Sequence, residues 1–333
     1  MSAEAGARRF KADPLDLLER FGLLILLGIV IVVFSLLRPD TFATAANFRS
    51  IVTTLSVGAV ASLALMMPLI AGRFDVSVGA TLGVCAIAAA AAMSKSGLPL
   101  VPAILVALIF GAVIGLFNGV IVAYLGVSSI IGTLGTSTVL VGLISAYSKG
   151  TPISEGLSRT LTDIGIETVA GIPALFIITL LVAAVVWYVA TQTPYGRRLE
   201  AVGVNMRAAK LTGLPTRPIV VLSFVAAGLL AAVAGVMQIG AQGAADPQVA
   251  GITFILPAIA AVFLGATTWK PGRFNVPGTL IALFFVGTTV SGLALVGAAP
   301  WVTDVFNGSA IIVAIALSAQ FRRRRTGELE IGS

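Results

Sequence analysis

From residue 21 to residue 320 the chain is a succession of ten apolar runs almost free of charge. They fall at 21–37, 51–71, 76–94, 99–124, 129–148, 172–190, 219–241, 252–269, 278–297 and 301–320. A helix that crosses a bilayer needs about 20 mostly apolar residues. The fold class these runs dictate is an all-α polytopic membrane protein of about ten transmembrane helices. The short first run fits if Arg20 and Arg38 at its ends snorkel to the headgroups. The runs are too long and too many for one signal peptide, and no small-residue cleavage site follows the first. Composition agrees: 11% of residues are charged, against about 25% in a soluble domain.

Orientation follows from the basic residues, because Lys and Arg concentrate on the cytoplasmic side. With the N-terminus inside, ten crossings place sixteen of the 21 basic residues in the cytoplasm and five outside, while acids divide eight to six. A nine-helix reading strands either Arg8, Arg9 and Lys11 or the run Arg322 to Arg325 on the wrong side. The expected organisation is a cytoplasmic tail at 1–20, a transmembrane domain at 21–320 and a second cytoplasmic tail at 321–333. A cytoplasmic loop lies at 193–218 and an outer loop at 149–171. The net charge of +7 thus reads as a topology signal, with no nucleic-acid partner implied.

Several chemistries are excluded. There is no histidine, which removes Ser-His nucleophiles, imidazole metal sites and imidazole proton relays. The single Cys85 forms no intrachain disulfide and reads as a small buried hydrophobe. No phosphate-binding G-x-x-x-x-G-K-[S/T] loop is present, so the chain is not itself an ATPase. No cofactor or catalytic residue is implied. No span carries an ionisable group at mid-membrane depth, where ion-driven carriers and voltage sensors keep them. A neutral or polar substrate path, powered from elsewhere, is the expectation.

Thr193–Pro218 is the exception to this apolar chain, with five basic residues and one acid. It reads as two short helical pieces, 196–202 and 205–211. Asn205 is the N-cap of the second, and Gly213 followed by Pro215 stops it. Ala208 and Ala209 give that piece a bare face on which another protein could dock; a plain positive-inside anchor is the alternative. The stretch "GVNMRAAKLTGLP" resembles the cytoplasmic coupling segment of ABC-transporter inner-membrane permeases, in the subgroup for ribose, xylose, other simple sugars, nucleosides and autoinducer-2. Four further stretches resemble that subgroup in order: "AGRFDVSVGATLG" (71–83), "IIGTLGTSTVLVGL" (130–143), "YSKGTPI" (147–153) and "AIAAVFLGATTWKPGRFNVPGTLIA" (258–282). The resemblance covers roughly residues 45–320. The chain departs from the subgroup at Arg73, at Pro257 and in "TTWKPGRFNV".

The resemblance implies a type II-like importer permease of the bacterial inner membrane. Two permeases pair, as homo- or heterodimer, surrounded by lipid. A cytoplasmic ABC ATP-binding protein docks on Gly203, Asn205, Ala208, Ala209 and Gly213, and an extracytoplasmic binding protein delivers a small-molecule sugar. A nucleoside or branched-chain amino acid is the alternative solute. A self-contained carrier or channel is the competing class.

Candidate pathway or gate residues are Asp75, Ser77, Asn118, Thr133 and Thr136. Asp75 and Ser77 sit at a helix break, where N-capping of the third span is the structural reading and a gate or pathway group the functional one. "GRFNV" at 272–276 repeats "GRFDV" at 72–76, with Asn275 in the capping place. Asn118 is an amide in hydrocarbon and needs a partner. Thr133, Thr136, Ser137 and Thr138 form a hydroxyl-rich face, although most membrane hydroxyls bond their own helix or a neighbour. Gly111, Gly115 and Gly119 predict a close helix crossing. The outer loop, with Lys149, Glu155, Arg159, Asp163 and Glu167, is either a solvated loop or the surface that steers the binding protein.

Overall fold

The computed structural model describes residues 14–326; the first thirteen residues, with Arg8, Arg9 and Lys11, and the tail from 327 onward lie outside them. Five long helices open the chain: α1 (Pro14–Leu37), α2 (Ala45–Ile70), α3 (Val78–Ser94), α4 (Leu100–Ala123) and α5 (Ser129–Ser148). A folded connection follows, made of α6 (Arg159–Ile166) and the antiparallel pair β1 (Thr168–Val169) and β2 (Ile172–Pro173). Next come α7 (Ala174–Gln192), the short α8 (Pro194–Val204) and α9 (Met206–Leu211), and α10 (Thr216–Gln242). The chain continues through α11 (Ile252–Gly265), α12 (Val276–Leu295) and α13 (Pro300–Thr326). Among the described residues, eight helices are long and apolar enough to cross a membrane, and two apolar stretches, Phe21–Leu37 and Val78–Ser94, are shorter. Each of the ten apolar runs has become a helix.

The packing is inverted relative to a water-soluble protein. On α4 the exposed side chains are the large ones, Val101, Leu105, Ile109, Val113 and Phe117, while Ala103, Ala107, Gly111, Gly115 and Gly119 are buried. Lipid tails are as apolar as leucine, so helices associate through close contact of small residues rather than through apolar burial. Every fourth residue of α4 is therefore small where it meets α10. A methyl on Gly111 would run into the Gly228 carbonyl, one on Gly115 into the Phe224 carbonyl, and one on Gly119 into Val221. Gly228 returns the contact against Gly111. The close crossing expected from the glycine row is formed. Gly235 extends α10's contacts to the Leu82 carbonyl of α3. The most enclosed helix is α3, and Leu63, Leu65 and Met66 of α2 and Phe224 of α10 are wholly buried.

The connections gather at two ends. At one, the turn after α2 touches α8, the Phe74 N–H reaches Ser129 at the start of α5, and the Arg217 guanidinium lies 5.5 Å from the Tyr124 ring centre. At the other, Lys95 stands over the Tyr147 ring, Gly156 packs on Ser94, and Ile153 bridges to Ala245. The 149–171 segment is thus more than a solvated loop. Its helix α6 lies on the end of α10, where Gly165 backs against the Gly240 carbonyl.

Candidate functional site

The five residues singled out as pathway or gate come together at the first of these ends, four of them in one hydrogen-bonded chain and Thr133 on the backbone of the same turn. Asp75 accepts from the Ser77 N–H at 2.9 Å and from the Ser77 hydroxyl at 2.6 Å. Asn118 Nδ2, from α4, donates to Ser77 Oγ at 2.7 Å. Its Oδ1 accepts from Thr136 Oγ1 of α5 at 2.7 Å. Thr133 accepts the Val76 N–H at 2.9 Å and donates to the Ser129 carbonyl. Ser129, which sequence reasoning passed over, accepts the Phe74 N–H at 3.1 Å. Hydroxyls of α5's first turns thereby satisfy backbone donors of a buried non-helical turn, which hydrocarbon would otherwise leave unpaired.

One expectation changes here. Asp75 does not cap α3: the N-cap position belongs to Ser77, and no side chain caps that end. Asp75 lies too far upstream to reach the first-turn N–H groups, so its carboxylate closes a local turn on Ser77 instead. Burial pushes this carboxyl up to about 6, with the two Ser77 bonds pulling it down. Asn118 has both amide ends paired, as its burial demands.

The basic segment folds as two capped helices. Thr193 caps α8 by accepting the Gly196 N–H, and Asn205 caps α9 by accepting the Ala208 N–H at 2.9 Å. α9 ends in a Schellman turn: Gly213 at φ 83° donates to the Lys210 carbonyl, and Leu214 donates to that of Ala209. The bare alanine face is narrower than expected. Ala208 is exposed, but Ala209 is only 6% exposed and packs into the main core. Adjacent helical residues point about 100° apart, so α9 could not both seat itself and present both alanines. Beside Ala208 it presents Arg207, Lys210 and Leu211, the last 85% exposed, and Val204 at the end of α8 is 71% exposed. Gly203 faces inward, where a methyl would strike the Ile70 carbonyl at the end of α2.

A second turn, after α11, completes this end. Asn275 caps α12 by accepting the Gly278 N–H at 2.8 Å, and its Nδ2 donates to the carbonyls of Gly265, Thr268 and Arg273. Between this turn, α8 and the ends of α2 and α7 lies a cavity of about 790 Å³, bordered by Trp187, Arg197, Glu200, Lys270 and Arg273. None of the five network residues borders it. Among the described residues no group of His, Cys, Asp or Glu could hold a metal ion.

The fold is a bundle of helices long and apolar enough to cross a membrane, with a capped two-helix segment held at one end. The chain belongs to the family described as branched-chain amino acid transport system / permease component, whose model matches residues 47–315. It is similar to the ribose import permease protein of Haemophilus influenzae, 35% identical over 294 residues covering 87% of this chain and 90% of that one. The ribose import permease protein of Bacillus subtilis is 33% identical, covering 90% and 92%. The D-allose transport system permease protein of Escherichia coli is 28% identical, covering 90% and 91%.

Proposed function

We propose that this chain is the permease subunit of an ATP-driven, binding-protein-dependent importer, and that its solute is a monosaccharide or a related polyol. The observation that carries the reading is the 193–218 segment. It is capped at both helix starts, attached to the bundle on its inward face, and carries exposed Val204, Ala208 and Leu211 among exposed Arg and Lys side chains on its outward one, a mixed surface suited to docking a separate ATPase. Exposed Val204 and Leu211 on a water-facing segment ask for a protein partner. The names of the relatives support a sugar; the family description, which speaks of branched-chain amino acids, keeps that solute as the alternative.

In this reading ten spans cross the bacterial inner membrane, both termini are cytoplasmic, and two copies pair within the lipid. The folded 149–171 segment faces outward to receive the binding protein. The Asp75–Ser77–Asn118–Thr136 chain holds the inner gate closed by tying the α2–α3 turn to α4 and α5. Co-expression with an ATP-binding subunit tests this: the two co-purify, and Ala208→Glu separates them while the permease remains in the membrane. Retention of the ATPase by that variant refutes the docking assignment.

A further inference from the structure

The stretches Gly-Arg-Phe-Asp-Val at 72–76 and Gly-Arg-Phe-Asn-Val at 272–276 precede α3 and α12, and the structure gives them three features in common. Both glycines take positive φ, 70° and 80°. Phe74 and Phe274 pack on the same ring, Phe263, with centroids 6.3 and 5.6 Å away. Each arginine reaches the basic segment. Arg73 Nη2 lies 3.5 Å from Met206 Sδ of α9, and Arg273 Nη1 lies 2.8 Å from Glu200 Oε1 of α8. The two turns therefore meet each other at Phe263 and both hold the α8–α9 segment.

We propose that these turns are the two joints through which α8 and α9 move the bundle, and that Glu200 and Arg273 are the positioning residues of the second joint. The proposal rests on the reading of 193–218 as the ATPase-docking segment. The joints differ in stiffness. At the first, Gly203 meets the Ile70 carbonyl with no space for a methyl group, and Gly72 meets Gly203 in return. Close-packed backbone transmits displacement without slack. At the second, the 790 Å³ cavity separates α8 from the turn, so the Glu200–Arg273 pair is the tie that makes the turn follow α8. Its side chains are 42% and 60% exposed, and an exposed pair contributes little to stability. Its loss should therefore loosen the joint without unfolding the protein.

Spin labels at Ala201→Cys on α8 and Lys270→Cys on the turn, both exposed positions, read the joint directly; buried Cys85 stays unlabelled. Their separation is measured in the complex with the ATP-binding subunit, nucleotide-free and trapped with ATP and vanadate. With Glu200 and Arg273 intact, the separation stays the same in both states. Glu200→Gln or Arg273→Gln leaves the ATPase bound and hydrolysing, but the labels part on trapping. The exchange Glu200→Arg with Arg273→Glu restores the fixed separation. A separation that changes in the intact pair, or that stays fixed in both glutamine variants, overturns the proposal. So does an exchange that behaves like the single variants. Loss of the ATPase from Glu200→Gln but not from Arg273→Gln also overturns it, since Glu200 would then serve the partner. Failure of the parent permease to bind any ATPase refutes the docking reading itself, and that result is separate from all of these.

Discussion

Asn118 is the residue whose replacement says most about the polar chain at the α2–α3 turn. Its side chain is completely buried, donates to Ser77 and accepts from Thr136. Asn118→Ala removes both bonds but strands neither neighbour: Ser77 still donates to Asp75, and Thr136 falls back on the Gly132 carbonyl at 3.1 Å. Interhelical hydrogen bonds in membrane proteins average about 0.6 kcal/mol and reach about 1.7, so two amount to roughly 1–3 kcal/mol. Asn118→Asp should be worse despite its matching shape. A carboxylate has no N–H to offer Ser77 Oγ, and the one Ser77 hydroxyl proton cannot serve both Asp75 and a second carboxylate. Two such acceptors in a closed site raise the cost by a further few kcal/mol, or force one to hold a proton. Thermal denaturation of the detergent-solubilised permease, with membrane content by immunoblot, measures the order wild type, Ala, Asp. An Asp variant as stable as wild type would refute the hydrogen-bond assignment. An Ala variant of wild-type stability that fails only in transport would show Asn118 to be a pathway residue instead of a clasp.

Further outcomes are expected. Asp75→Asn keeps an oxygen for both Ser77 donors and should retain near-wild-type stability, whereas Asp75→Ala loses two bonds, about 1–3 kcal/mol; comparing their melting temperatures checks the order. Ala209→Glu places a charge in the core and should fail to accumulate in the membrane, while exposed Ala208→Glu accumulates normally and loses its ATPase, as blots of membranes and of co-purified complexes would tell. Gly115→Leu drives a side chain into the Phe224 carbonyl and should destabilise by at least about 1–3 kcal/mol, read from the fraction that survives heating in detergent. Accessibility tags at 200–210 and after Arg325 should report cytoplasm and one near 160 the outer side; an outer signal from 200–210 would overturn the topology.

The helices were legible because each apolar run needs its own backbone bonds inside hydrocarbon, and the sequence offers them no other way to be satisfied. Caps such as Asn205 and Asn275 were legible for a local reason: one side chain answers one nearby N–H. The glycine row of α4 announced a close contact, though not its partner α10, which lies more than a hundred residues away. Less could be read at the site. Ala208 and Ala209 look alike in sequence, and only the seating of α9 decides which one is buried. Ser129 carried no signal, since its use depends on where the α2–α3 turn comes to rest. The Glu200–Arg273 pair joins two segments far apart in the chain and has no local signature. The repeated Gly-Arg-Phe was visible, but its meaning required Phe263 between the two copies.

Uptake into proteoliposomes tests the central claim most directly. Radiolabelled ribose, xylose and allose would be offered to vesicles holding this permease alone, or with the ATP-binding subunit, internal ATP and an external binding protein. Accumulation of at least one sugar is expected in the complete system only, ending when ATP or the binding protein is withheld. Equal accumulation by the permease alone would contradict that claim.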